Sequence, residues 1–255
     1  MKNWPKVKSI LTEARSTLKK EWQRYLVFSL PISLLSLLFV LAQIFISPRQ
    51  IFLDILIIIG LLIVSIFPRI GLILFIGSNQ RSEKYSIKKT VSSIKSHWKR
   101  ALGAYVLYWI IILAVIFFGT LIVGRAYMVP ALMILGTIGI YAFAIWLGIR
   151  MVFMRYIAIF APSKPLVATS FTLTKGWFWT LLRTNINTYS GWILLFGAIR
   201  YGISALGYTD LVNIISWVGP LFLIILEPYR TASENILFRQ CKESNVEKES
   251  IELVK

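Results

Sequence analysis

Polar and apolar positions along this chain fall into long blocks, not the short alternations of a soluble domain. Runs free of ionised side chains extend from Tyr25 to Ser47, from Ala101 to Gly124 and from Leu211 to Leu226. At 1.5 Å per helical residue the first is about 35 Å long, enough to cross a hydrocarbon core of about 30 Å. Segments of this kind are predicted near 25–47, 51–77, 101–124, 129–154, 184–207 and 211–226. The pattern predicts an all-α integral membrane protein with six transmembrane helices.

The polar blocks carry a second pattern. A-R-S-T-L-K-K-E-W-Q-R-Y-L at 14–26, T-V-S-S-I-K-S-H-W-K-R-A-L at 90–102 and T-S-F-T-L-T-K-G-W-F-W-T-L-L at 169–182 each lead from basic and hydroxyl residues to a tryptophan. An apolar run follows each. Aligned on Trp22, Trp98 and Trp177, the stretches share an aliphatic residue eleven positions earlier (Leu11, Ile87, Leu166). They also share Ala or Thr eight earlier (Ala14, Thr90, Thr169), an aliphatic residue four earlier (Leu18, Ile94, Leu173) and a leucine four later (Leu26, Leu102, Leu181). At about 100° per residue these positions form a helical stripe roughly 120° wide.

Each block therefore reads as an interfacial amphipathic helix leading into a helical hairpin, with tryptophan at the headgroup level. Trp22, Trp98, Trp177 and the additional Trp179 are expected at the interface, facing lipid, with Lys88, Lys89, Lys95 and Lys175 turned toward water and headgroups. Three pseudo-repeats follow, at about 7–78, 83–160 and 162–240, forming a single six-span domain over 1–240. Outer turns are expected at 47–50, 124–130 and 207–210. A short helix over 229–240 and a mobile tail over 241–255 close the chain. The third copy is expected to break most sharply before its span, because Pro165 opens its helix and Gly176 precedes its tryptophan.

Charge fixes the orientation. The net charge is +17, and 24 of the 28 Lys and Arg residues lie in 1–24, 79–100, 150–183 and 227–255. These are alternate connections, so the positive-inside rule puts both termini and the long loops in the cytoplasm. Anionic phospholipid is the partner that this basicity implies, and nucleic-acid binding is not needed to account for it.

Candidate chemistry is sparse. His97 is the only histidine and Cys241 the only cysteine. No metal-ligand spacing, activated nucleophile or glycine-rich phosphate loop is present, so neither an enzyme nor a bound cofactor or metal is expected. Polar residues within the spans are the better leads, because charge in hydrocarbon is costly and is usually paired or functional. They are Asp54, Arg69, Asn185, Asn187 and Arg200. By depth, Arg200 is level with Asp54 and Asp210, whereas Arg69 is level with Glu227, Arg150 and Arg155. Two readings follow: Arg69, Arg150 and Arg155 snorkel while Arg200 forms one structural ion pair, or a polar pathway is lined by Arg69, Asn185, Asn187 and Arg200.

P-L-V-A-T-S-F-T-L-T-K-G-W-F-W-T-L-L, after a span ending R-M-V-F-M-R-Y, resembles the third cytoplasmic loop of YciC-like bacterial inner-membrane proteins. It is also similar to the membrane domain attached to some glycerophosphodiester phosphodiesterases. The specific likeness covers about twenty residues, and A-P-S-K-P stands where an acidic residue is usual. The resemblance implies a six-span protein of the bacterial inner membrane. The function expected is a non-enzymatic scaffold or accessory subunit that interacts with lipid, with another membrane protein or with a second copy of itself. A small permease or transport-complex subunit is the alternative, and stoichiometric binding to another membrane protein as an assembly factor is a third.

Overall fold

A computed structural model describes residues 7–45, 51–80, 86–124 and 130–252; some helical side chains, including those of Asp54 and Asp210, also lie outside the description. Most of the described residues are helical, with no strand among them. In chain order the helices are α1 (Val7–Phe45), α2 (Ile51–Gln80), α3 (Ile87–Gly124), α4 (Pro130–Arg150), α5 (Met154–Phe160), α6 (Leu166–Thr174) and α7 (Phe178–Asn185). A π-helical segment, Ile186–Ser190, joins α7 to α8 (Gly191–Ala205), and α9 (Thr209–Glu252) completes the order. The expected outer turns at 47–50 and 124–130 lie largely outside the described residues. The third is built on Gly207, whose φ of 82° suits a residue without a Cβ.

The helices gather into two compact units, one of residues 1–98 and 182–239, the other of 99–181 and 240–255. In the second unit, α3 and α4 form a hairpin whose arms approach closely at glycines. A side chain at Gly119 would meet Ile140 at 2.7 Å, and one at Gly136 would meet Val123 at 2.6 Å. At one end of the hairpin, Ala104, Ile112, Leu147, Met151, Met154 and Ala158 make a buried core sealed by Tyr108, Leu166 and Phe171. Toward the other end the surface is apolar and uncovered, with Phe117, Phe118, Ile122 and Leu135 all more than half exposed. Two stretches, Ile87–Gly124 and Leu132–Phe160, are long and apolar enough to cross a membrane. Only 6% of the most apolar window of the first is buried within the protein. Such a surface is suited to hydrocarbon, not to water.

The first unit is built on aromatic packing between α1 and α2. Phe75 of α2 lies 5.5 Å from Tyr25 and 5.8 Å from Phe28 of α1, ring centre to ring centre. Gly71 permits this approach, since a Cβ there would stand 2.5 Å from the Phe28 ring. α9 crosses the hairpin, with Ser33 Oγ donating to the Pro220 carbonyl at 2.6 Å. Every residue from Thr231 to Phe238 of α9 is buried. Pro31, Pro68, Pro220 and Pro228 stand inside α1, α2 and α9, and each removes a backbone donor from its helix.

The three amphipathic segments pack on protein, and this changes what their stripes do. The first lies against α9, where Tyr229 Oη donates to the Leu11 carbonyl at 3.5 Å and Arg239 meets Glu13 at 2.7 Å. The second, the start of α3, lies against α2, with Trp98 and Phe67 ring centres 5.9 Å apart. The third, α6, lies against the end of α4 and α5, where the Ser170 hydroxyl donates to the Arg150 carbonyl at 2.8 Å; Thr174 Oγ1, which donates to the Ser170 carbonyl at 2.8 Å, lies 3.3 Å from the same Arg150 oxygen. In every case the partner is the second helix of the preceding predicted hairpin, the third hairpin standing before the first. Thus Ala14 and Thr90 are fully buried against neighbours, and Trp177 is buried in protein, not presented to lipid.

The breaks also differ from expectation. The third copy does break before its tryptophan, at Gly176 with φ 79°. The first breaks at the same alignment position, Glu21 (φ −141°, ψ 31°), although no glycine or proline marks it. α3 instead runs unbroken through His97. At the other end of the chain, the short helix expected over 229–240 is part of α9, which continues to Glu252; Cys241, within it, is buried and not disulfide-bonded.

Candidate functional site

Two features of the first unit gather groups capable of recognition. The earlier one along the chain is a groove of about 610 Å³ between α1 and α9. Arg15, Leu18 and Lys19 line it before the break at Glu21, and Trp22, Tyr25, Leu26 and Ser29 line it beyond. Ile224, Ile225, Pro228 and Tyr229 form the facing wall. The groove is cationic at one end and apolar along its length. Arg15 and Lys19 are exposed, while Tyr25 and Ser29 are buried at its floor. Ser29 Oγ is fully enclosed and has no hydrogen-bond partner among the described residues. Pro228, having no N–H, also deprives the Ile224 carbonyl of its usual helical donor. Burial pushes the Tyr229 phenol above its ordinary pKa, and the neighbouring Arg15 guanidinium pulls it back. The phenol is therefore a neutral donor.

The second feature is a buried cluster of charge. The sequence E-P-Y-R-T-A-S-E puts Glu227, Arg230 and Glu234 on one face of α9, at the i, i+3 and i+7 positions. Glu227, with its side chain fully buried, pairs with Arg69 of α2 at 3.3 Å and with Arg230 at 2.9 Å. Arg230 reaches Glu234 at 3.8 Å, and its guanidinium lies 4.2 Å from the centre of the Tyr189 ring. These two arginines and two glutamates balance one another in charge. That balance matters, because an uncompensated buried ion costs several kcal/mol even after relaxation.

Tyr189 reaches Arg230 from the π-helical segment. There the Gly191 N–H bonds the Ile186 carbonyl, five residues back. A Cβ at Gly191 would collide with that same carbonyl oxygen, so glycine is the residue that lets the wide turn close. Thr188 Oγ1 donates to the Thr184 carbonyl at 2.9 Å and Asn187 Nδ2 to the Arg183 carbonyl at 2.7 Å. The polar start of this helix is thus partly consumed by its own backbone.

The other residues singled out in the sequence fall as follows. Trp22 and Trp179 are exposed, by 54% and 67%, whereas Trp98 is half-buried. Lys88, Lys89, Lys95 and Lys175 are exposed. Asn185 is half-buried, and Arg200 is exposed on α8. Its expected counter-charges, Asp54 and Asp210, lie outside the described side chains. Arg69, expected to snorkel or to line a pathway, instead pairs with Glu227. Arg150 lies over the Phe171 ring at 5.0 Å, and Arg155 over Tyr156 at 5.4 Å. Tyr189 as a partner of Arg230, and Ser170 with Thr174 as caps of α4, were not singled out. Among the described residues no group of three His, Cys, Asp or Glu side chains is placed to hold a metal ion. No protein-family model, curated protein or solved structure matches the chain.

Proposed function

We propose that the chain is a six-span protein of the bacterial inner membrane, with both termini cytoplasmic, acting without catalysis as a lipid-interacting scaffold or accessory subunit. The observation that carries this reading is a pairing of surfaces. Large apolar side chains are exposed along α3 and α4, while three basic helices that precede hairpins are each fastened to a neighbouring helix. An apolar exterior with cationic ends matches a bilayer with anionic headgroups. The threefold repeat is part of the proposal, supported by the shared stripe spacing and by the like manner in which each copy docks. So is kinship with the YciC-like proteins, supported by the third cytoplasmic loop.

A permease would need Arg69, Asn185, Asn187 and Arg200 around one continuous polar space. Arg69 is engaged with Glu227 and Asn187 with its own helix. Asn185 and Arg200 are fifteen residues apart, about 22 Å along a helix. The scaffold reading therefore takes precedence.

The topology is tested by labelling single cysteines in intact cells with a membrane-impermeant maleimide, in a Cys241→Ser background. Tyr208→Cys is expected to react from outside, and Lys89→Cys only after the membrane is opened. Labelling of both from outside defeats the topology. Extraction of the protein by alkaline carbonate defeats the membrane reading altogether.

A further inference from the structure

We infer that the groove between α1 and α9 is a seat for one anionic phospholipid, its phosphate held by Arg15 and Lys19 and one acyl chain lying over Leu26 and Ile225. The inference deepens the membrane reading above and rests on it.

Two observations point to this occupant. The first is charge: Arg15 and Lys19, four residues apart, present two cations to the same end of the groove, and neither has a carboxylate lining the groove beside it. The second is shape and chemistry. At about 610 Å³ the groove has volume for a headgroup and part of a chain and is partly open, and beyond its cationic end it is walled by Trp22, Leu26, Ile224 and Ile225. A soluble anion would gain nothing from that wall, whereas a neutral lipid would leave the cations without a partner. The break at Glu21 lies between the cationic and apolar parts, so the stripe bends where the headgroup gives way to the chain.

The test uses the full chain in mild detergent, with bound lipid counted by native mass spectrometry during titration with phosphatidylglycerol, phosphatidylcholine or glycerol phosphate. Wild type is expected to take one phosphatidylglycerol in preference to phosphatidylcholine and to bind no glycerol phosphate. Arg15→Gln with Lys19→Gln should weaken phosphatidylglycerol about 30-fold, which at about 1.4 kcal/mol per tenfold is about 1 kcal/mol for each basic residue. Ile225→Trp fills the open apolar wall without altering charge; it should weaken binding tenfold or more while leaving thermal stability unchanged. Lys88→Gln with Lys89→Gln removes the same charge elsewhere and should change binding less than threefold. An equal loss from both charge pairs, or no loss from Ile225→Trp, overturns the seat. Binding of glycerol phosphate as tight as that of the lipid makes the site a phosphate site and overturns it too. A protein that stays in carbonate-washed membranes yet fails these tests loses this inference alone; one that washes out loses both.

Discussion

Glu227 carries the sharpest energetic prediction. Replacing it with glutamine keeps the volume but removes the charge that Arg69 and Arg230 share. Removing one partner of a buried pair costs about 3–5 kcal/mol, because the other ion is left uncompensated. Here the lower end applies. Arg230 keeps Glu234 at 3.8 Å and the Tyr189 ring at 4.2 Å, and Arg69 is 22% exposed and so not wholly cut off from solvent or headgroups. About 3 kcal/mol in a chain of this size lowers the melting temperature by roughly 6–12 °C. The comparison is Glu13→Gln. Its pair with Arg239 is the shorter contact, at 2.7 Å, but its members are 41% and 39% exposed, so about 0–1 kcal/mol is at stake. Both variants would be melted in the same detergent, followed by tryptophan fluorescence and by circular dichroism. If Glu227→Gln melts within 2 °C of Glu13→Gln, or higher than wild type, the argument from burial over distance is wrong. A cycle adding Arg69→Met should recover part of the loss, since removing both charges leaves less ion uncompensated.

Three further outcomes follow from backbone and cap geometry. Gly176→Ala is expected to cost about 1–2 kcal/mol because its φ is 79°, whereas Glu21→Ala, at a break with negative φ, should cost under about 1 kcal/mol; denaturant titration in micelles separates them. Gly191→Ala should force the π-turn to rewind, at a cost of about 1–3 kcal/mol. Its effect should be far from additive with that of Tyr189→Leu, since both act through Arg230. Ser170→Ala should cost about 1–3 kcal/mol, because it removes the 2.8 Å donor from the Arg150 carbonyl, whereas Thr174→Ala should cost about 1 kcal/mol or less, because its hydroxyl donates chiefly within its own helix.

Helix content was legible in the sequence because apolar blocks of more than twenty residues have few other solutions. The repeat stripe was legible too, as a spacing, but its destination was not. An amphipathic face reads alike whether it meets lipid or another apolar helix, so Trp22 and Trp177 carried one expectation and met opposite surroundings. The pairing of Arg69 with Glu227 was within reach because depth along a span is countable. Tyr189 was not, because its position depends on one extra residue in a turn, and only the collision at Gly191 reveals that turn. Likewise Ser170 and Thr174 read as a polar approach to a span. Their role follows from where α4 ends, which local sequence does not encode.

The first unit is discontinuous in the chain, and this has a consequence for biogenesis. Arg69 leaves the ribosome 158 residues before Glu227, the carboxylate that neutralises it. At about 5–20 residues per second the interval is roughly 10–30 s. On the proposed topology the α1–α2 hairpin would spend that time in the bilayer with an unanswered cation at its inner edge, leaning on headgroups or an insertase. A nascent chain that stops before α9 would keep that cation unanswered, and so would carry its own mark of incompleteness for membrane proteases to find.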